Sequence, residues 1–198
     1  MAADLIPLMR ASVIQGNLAE AERLGPEVGA EIRAGISPRI VEAVERASKL
    51  AWLPLRHDIE LSANVAQVMG QAQRVEWARA SMLRSLRTPL LEPLWKAAFR
   101  VFGMSPGALF RAVPSGWKAV CRNVGAVTHT PRPGAAHLVI SCAPDVLLDA
   151  DDYLGGMCGT FSALLDIAEI PGTVDLQDID SRRGRVVYEA RWGRGLST

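Results

Sequence analysis

Apolar positions recur at helical spacing through the first half of the chain. Residues 16–25, GNLAEAERLG, carry a helical phase that Gly25-Pro26 ends. Ser37-Pro38 then supplies a serine cap with proline at the first helical position, and Ile40, Val41, Val44, Ala47 and Leu50 or Ala51 follow on one side until Pro54. The longest regular segment runs over residues 60–88. Leu61, Val65, Val68, Ala72, Val75, Met82 and Leu86 recur by four and three, interrupted by Arg79. That spacing predicts one long amphipathic helix whose stripe serves as domain core or as a dimer seam. Thr88-Pro89 opens a further helix that ends at Phe102-Gly103. Ser105-Pro106 starts a short helix to about Val113, and Ser115 starts another that ends near Gly125.

Beyond Gly125 the period changes to two. AVTHT and AHLVISCAP predict two strands around a PRPG turn. Asp149, Asp151 or Asp152 caps the next helix, which runs to about Glu169. Gly155, Gly156 and Gly159 thin its first half, which implies close backbone approach or a later start. TVDLQDI, a DSRRG turn and RVVYEARW then form a hairpin. Val186, Tyr188, Ala190 and Trp192 share one face, and Arg185, Val187, Glu189 and Arg191 share the other. The order is helices followed by β-β-α-β-β. It predicts an α+β fold in which an N-terminal helical half packs on a four-stranded, antiparallel-rich sheet. Residues 1–52 form a helical N-terminal extension and residues 53–198 the α+β domain, together one compact unit. The chain has no repeated βα unit, which argues against a doubly wound nucleotide fold.

Composition narrows the function. With 198 residues, 49% hydrophobic and 22% charged, the chain builds a sizeable core without staples. A formal net charge of +1 gives no reason to expect a nucleic-acid partner. Cys121, Cys142 and Cys158 are an odd set without a CxxC, which suits a reducing, cytoplasmic setting. The N-terminus has no basic region followed by a long apolar run, and no stretch approaches a transmembrane segment.

Candidate chemistry is sparse. His57, His129 and His137 lack zinc-ligand spacing, although His129 and His137 are placed to oppose each other across the first hairpin. No metal and no cofactor are expected. Cys158 lies among glycines near a helix start, where a thiolate is stabilised; the plainer reading is a small buried hydrophobe. The carboxylates at 149–152 and 175–180 cap a helix and border a strand without converging from separate elements. Arg182, Arg183 and Arg185 are candidate contacts for a phosphate or a partner, set against a solvated turn. Trp95, Phe99, Phe110 and Trp117, with Cys158, are candidates to line an apolar ligand pocket, set against plain core.

From about residue 53 to Trp192 the chain resembles a myxobacterial paralogous family of uncharacterised proteins. The resemblance rests on WLPL at 52–55, VAQVMG at 65–70, VFGMSPGALFRAVPSGW at 101–117, NVG at 123–125, the GTFSALLDIA helix and the VVYEARW strand. The helical half followed by β-β-α-β-β also resembles a wider superfamily. That group holds haem nitric-oxide sensors, four-vinyl-reductase sensor domains and Bet3-type vesicle-tethering subunits. It implies helices on a four-stranded antiparallel sheet, an apolar cavity and a tendency to pair. The haem sensors use a histidine ligand and a Tyr-x-Ser-x-Arg motif; neither Tyr153 nor Tyr188 begins that motif. The vinyl-reductase sensors place cysteines around the final hairpin, and Thr173–Trp192 has none. What remains is a non-enzymatic sensor or adaptor that takes a small apolar ligand and acts through a protein partner. The alternatives are a ligand-free homodimerisation scaffold joined through helix 60–88, and an enzyme dependent on Cys158.

Overall fold

The computed structural model describes residues 5–85 and 104–193. The helix expected between Thr88 and Phe102 lies outside them, as do Trp95 and Phe99. Three helices open the chain after a short strand: β1 (Leu8–Arg10), α1 (Ala11–Glu22), α2 (Pro26–Gly35) and α3 (Pro38–Arg46). β2 (Trp52–Pro54), α4 (Arg56–Met69) and α5 (Gln71–Ser85) follow. The second half contains α6 (Pro106–Val120), β3 (Cys121–Arg122), β4 (Ala126–Arg132), β5 (Ala135–Ser141), α7 (Asp145–Leu148), α8 (Asp151–Ile167), β6 (Gly172–Asp180) and β7 (Arg185–Trp192).

The main sheet has the order β4-β5-β7-β6, antiparallel throughout. N-terminal helices pack against it through α8 and α6, as the change of period predicts. On β7, Val186, Tyr188 and Ala190 point into the core, each 1% exposed or less. Trp192 continues that face and stacks on Phe110 with ring centroids 5.6 Å apart. Ile14, Leu18 and Ile32 belong to the same buried cluster as Leu164 and Tyr188.

Four expectations change. The helix over 60–88 is two helices, because Gly70 adopts φ 90° and donates its N–H to the Ala66 carbonyl as a C-terminal cap. On α4 the recurrence is buried at Leu61 and Val65, but on α5 the buried positions are Arg74, Trp77, Ser81 and Ser85, while Ala72 is exposed and Val75 and Met82 are half-buried. The stripe is therefore buried on α4 and only partly covered on α5. Arg79 leaves it to pair with Asp166 on α8. The two short helices expected after Ser105 are one, α6, which tolerates Pro114 inside it. His129 and His137 do not oppose each other: His129 faces Leu138 and Thr130 faces His137. The one-residue offset puts the two rings on opposite faces of the sheet. Finally, a second sheet, β2-β1-β3, joins the N-terminus to the middle of the chain. Its strands hold three, three and two residues, too few for alternation to reveal.

The glycines of α8 mark close approach, and the helix starts at Asp151. A Cβ on Gly159 would fall 1.9 Å from the Val75 carbonyl oxygen, so α5 and α8 meet backbone to backbone.

Candidate ligand cavity

Between the N-terminal helices and the α6–α8 layer lies a cavity of about 150 Å³. Its walls come from five helices and the inner side of the small sheet. Trp77, Ala78 and Met82 enter from α5; Val113, Trp117 and Val120 from α6; and Tyr153, Met157, Phe161 and Leu164 from α8. Met9 and Cys121, paired across β1 and β3, close it on the side of the small sheet. The Trp117 indole is oriented by its N–H, which donates to the Gly125 carbonyl at 3.2 Å.

One corner of this apolar space is polar. Asp58, 3% exposed, sits in the first turn of α4. Its two oxygens accept from the Asn17 amide and the Tyr153 hydroxyl, each at 2.7 Å. These bonds compensate part of the cost of burying a carboxylate. Burial still pushes the Asp58 carboxyl above its ordinary range, against the two hydrogen bonds that favour the charged form. Burial, reinforced by the Asp58 charge, pushes the Tyr153 phenol well up. Cys121 is likewise held as a thiol by burial, with Asp58 adding to the effect. Asp58 is the acidic residue on the described wall, and Ser62 and Thr160 add hydroxyls. The corner can therefore hydrogen-bond one polar group of a ligand whose remainder is apolar.

Of the residues expected to line a pocket, Trp117 does so. Phe110 lies outside the wall, fully buried and stacked on Trp192, which is a packing role. Cys158 also lies off the wall, although its neighbour Met157 lines it. Burial pushes the Cys158 thiol up, the opposite of what a nucleophile at neutral pH needs. On the final hairpin, Arg183 and Arg185 turn to Asp180 and Asp178 at 3.7 and 3.1 Å, and Arg182 is exposed. Among the described residues no group of three His, Cys, Asp or Glu side chains is arranged to hold a metal.

Sequence reasoning passed over Asn17, Asp58 and Tyr153. They converge from positions 41 and 95 residues apart, and each alone looks like an ordinary helix residue. It also passed over Arg74, which is 2% exposed and lies flat against Gly155 and Gly156. Its Nε and Nη1 have no hydrogen-bond partner, and burial lowers its pKa. The signal for it was present in the paired glycines of α8, which leave room for a guanidinium where side chains would stand.

No family model matches the chain, and no curated protein matches it. Solved structures do. An Fe(II) unliganded H-NOX protein from K. algicida matches with a TM-score of 0.63 at 9% identity, over 96% of this chain and 100% of that one. An oxygen-binding H-NOX domain related to soluble guanylate cyclases, in its oxygen complex, matches with a TM-score of 0.62 at 10% identity, over 96% and 98%. A mutant H-NOX from T. Tengcongensis matches with a TM-score of 0.61 at 11% identity, over 96% and 100%. Near-complete coverage of both chains at such low identity establishes the architecture: this chain is built on the H-NOX fold.

Proposed function

We propose that this chain is a haem-free sensor or adaptor built on the H-NOX fold. It holds a small, largely apolar ligand in the central cavity and acts through a protein partner. The observation that carries this reading is the cavity itself, an apolar space with one hydrogen-bonding corner at Asp58, Tyr153 and Asn17. Cavities of roughly 150 Å³ with apolar walls take up molecules the size of benzene.

Haem does not fit the residues present. The three histidines of the chain are His57, His129 and His137, and none lines the cavity. Cys121 and Tyr153 line it, but burial pushes both pKa values up, and the Tyr153 hydroxyl is already engaged with Asp58. The acidic residue on the described wall is Asp58, and no lysine or arginine stands among the described wall residues to meet haem carboxylates. The resemblance to the myxobacterial paralogues suits this reading, since it is carried by fold elements rather than by haem-binding residues.

Native mass spectrometry of the purified protein tests the proposal. The expected result is a mass excess, beyond whole subunit multiples, that is lost on denaturation. Hemin added to the apo-protein is expected to give no complex that survives gel filtration. A stable stoichiometric haem complex would overturn the reading.

A further inference from the structure

The small sheet has two unlike faces. Inward, Met9 and Cys121 close the cavity. Outward, the register places Leu8, Arg10, Trp52, Pro54 and Arg122 on one side. The Arg10 and Arg122 guanidiniums lie over the Trp52 ring at 3.9 and 4.2 Å. Arg10 is further fixed by the Leu50 and Ala119 carbonyls. The segments that build this sheet, residues 5–12, 47–56 and 118–124, carry Arg10, Lys49, Arg56, Lys118 and Arg122 and no acidic residue. Elsewhere in the described chain most arginines are paired with carboxylates, as at Arg33, Arg79, Arg84, Arg185 and Arg191. Here Lys49, Arg56, Lys118 and Arg122 are exposed. The same segments hold Leu5 at 70%, Ile6 at 63% and Leu50 at 61% exposure, the three most exposed large hydrophobic side chains among the described residues.

We infer that this face docks on an anionic lipid surface. Two guanidiniums over an indole, further cations with no carboxylate partner among the described residues, and bare aliphatic side chains at both ends of a short sheet match the charge and layering of a headgroup region. The cations come from three segments and are spread rather than gathered round one point. None of the outward side chains lines either described cavity. A planar, negatively charged surface with accessible acyl chains satisfies all of these groups together. The proposal stands apart from the cavity reading, although Met9 and Cys121 make this sheet the wall between the two.

The test is co-sedimentation of the full chain with vesicles of phosphatidylcholine alone, or of phosphatidylcholine with phosphatidylserine. Binding is expected only to the second, weakening as salt is raised. The double variant Lys118→Glu/Arg122→Glu is expected to bind about tenfold or more weakly, from the loss and reversal of two charges near the surface. Leu5→Ser/Ile6→Ser is expected to weaken binding without changing its salt dependence. Arg132→Glu, an exposed charge at the far end of β4, is expected to bind as the parent does. All these positions are exposed, and matched thermal midpoints will show that the variants fold. Equal binding to both vesicle types, or charge-reversed variants that bind as the parent does, would overturn the inference. So would association with an acidic, leucine-containing peptide in the absence of vesicle binding, which would assign the face to a protein partner.

Discussion

Helix α8 finishes a core on one side and leaves a hole on the other. Toward the sheet it is filled: Leu154 and Leu165 are nearly inaccessible, and the Leu154 carbonyl accepts the buried Tyr188 hydroxyl at 3.0 Å. Phe161 meets the Tyr188 ring edge-on with centroids 5.0 Å apart. Toward α1, α4 and α6 the same helix presents Tyr153, Met157, Phe161 and Leu164 to an open space. Both sides are apolar, so hydrophobic periodicity reads them alike. Whether facing side chains fill the volume separates core from binding site, and two adjacent turns of one helix differ in that respect.

The comparison is tested most severely at the seam with α5. Gly159→Val puts a side chain into the Val75 backbone, which cannot withdraw as a flexible side chain can. A loss of about 3 kcal/mol is expected from overpacking, read as a lower urea midpoint. On the filled side, Leu154→Ala is expected to cost about 3 kcal/mol in the same assay. The half-exposed cavity residue Met82, mutated to Ala, is expected to cost much less, because it has fewer neighbours to lose. Equal costs for the two would erase the distinction between the sides. Tyr188→Phe removes one buried hydrogen bond and leaves the Leu154 carbonyl satisfied only within its helix; about 1 kcal/mol is expected.

The smallest effect separates the cavity's polar corner from its walls. Folded Asp58 keeps its proton to a higher pH than the unfolded chain, whose aspartates titrate near about 3.9. Between those two values the unfolded state binds fewer protons, so the Asp58 contribution to stability falls as pH rises through the window. Buried His57 and half-buried His129 act in the opposite sense. Their pKa values are lowered by burial, and their contribution falls as pH drops below about 6.5. The stability difference between the parent and Asp58→Asn isolates the carboxylate. It is expected to move in favour of the variant as pH rises above about 4, measured by thermal midpoints across a pH series.

Periodicity made much of the fold legible. The switch from helical to alternating spacing after Gly125 located the four-stranded sheet, and the alternation of RVVYEARW assigned its buried face correctly. Spacing failed where tertiary contacts decide. Gly70 divides the stripe, and beyond it the buried face of α5 runs through Arg74, Trp77, Ser81 and Ser85 rather than through the apolar recurrence. The small sheet is invisible because pairs such as Leu8–Pro54 and Met9–Cys121 are made by distant segments of two or three residues. For the site, aromatic content marked Trp117 but also Phe110, whose ring is core. The distinction between the two depends on an absence of facing atoms, which no single residue records. The polar corner was hidden for a related reason: Asp58 is a common residue at a helix start, and only its partners Asn17 and Tyr153 reveal that it is buried.

The cavity proposed to hold a ligand has a volume of about 150 Å³. Benzene is a probe of suitable size. Its effect on the thermal midpoint should be compared in the parent and in Ala78→Leu, whose added side chain enters the cavity from α5. At ten times its dissociation constant, a ligand specific for the folded state adds about 1.4 kcal/mol, which raises the midpoint by about 3–5 °C. The account predicts that rise in the parent and its loss in Ala78→Leu, with the variant at least as stable when benzene is absent. No benzene effect in the parent, or an equal rise in both proteins, would contradict it.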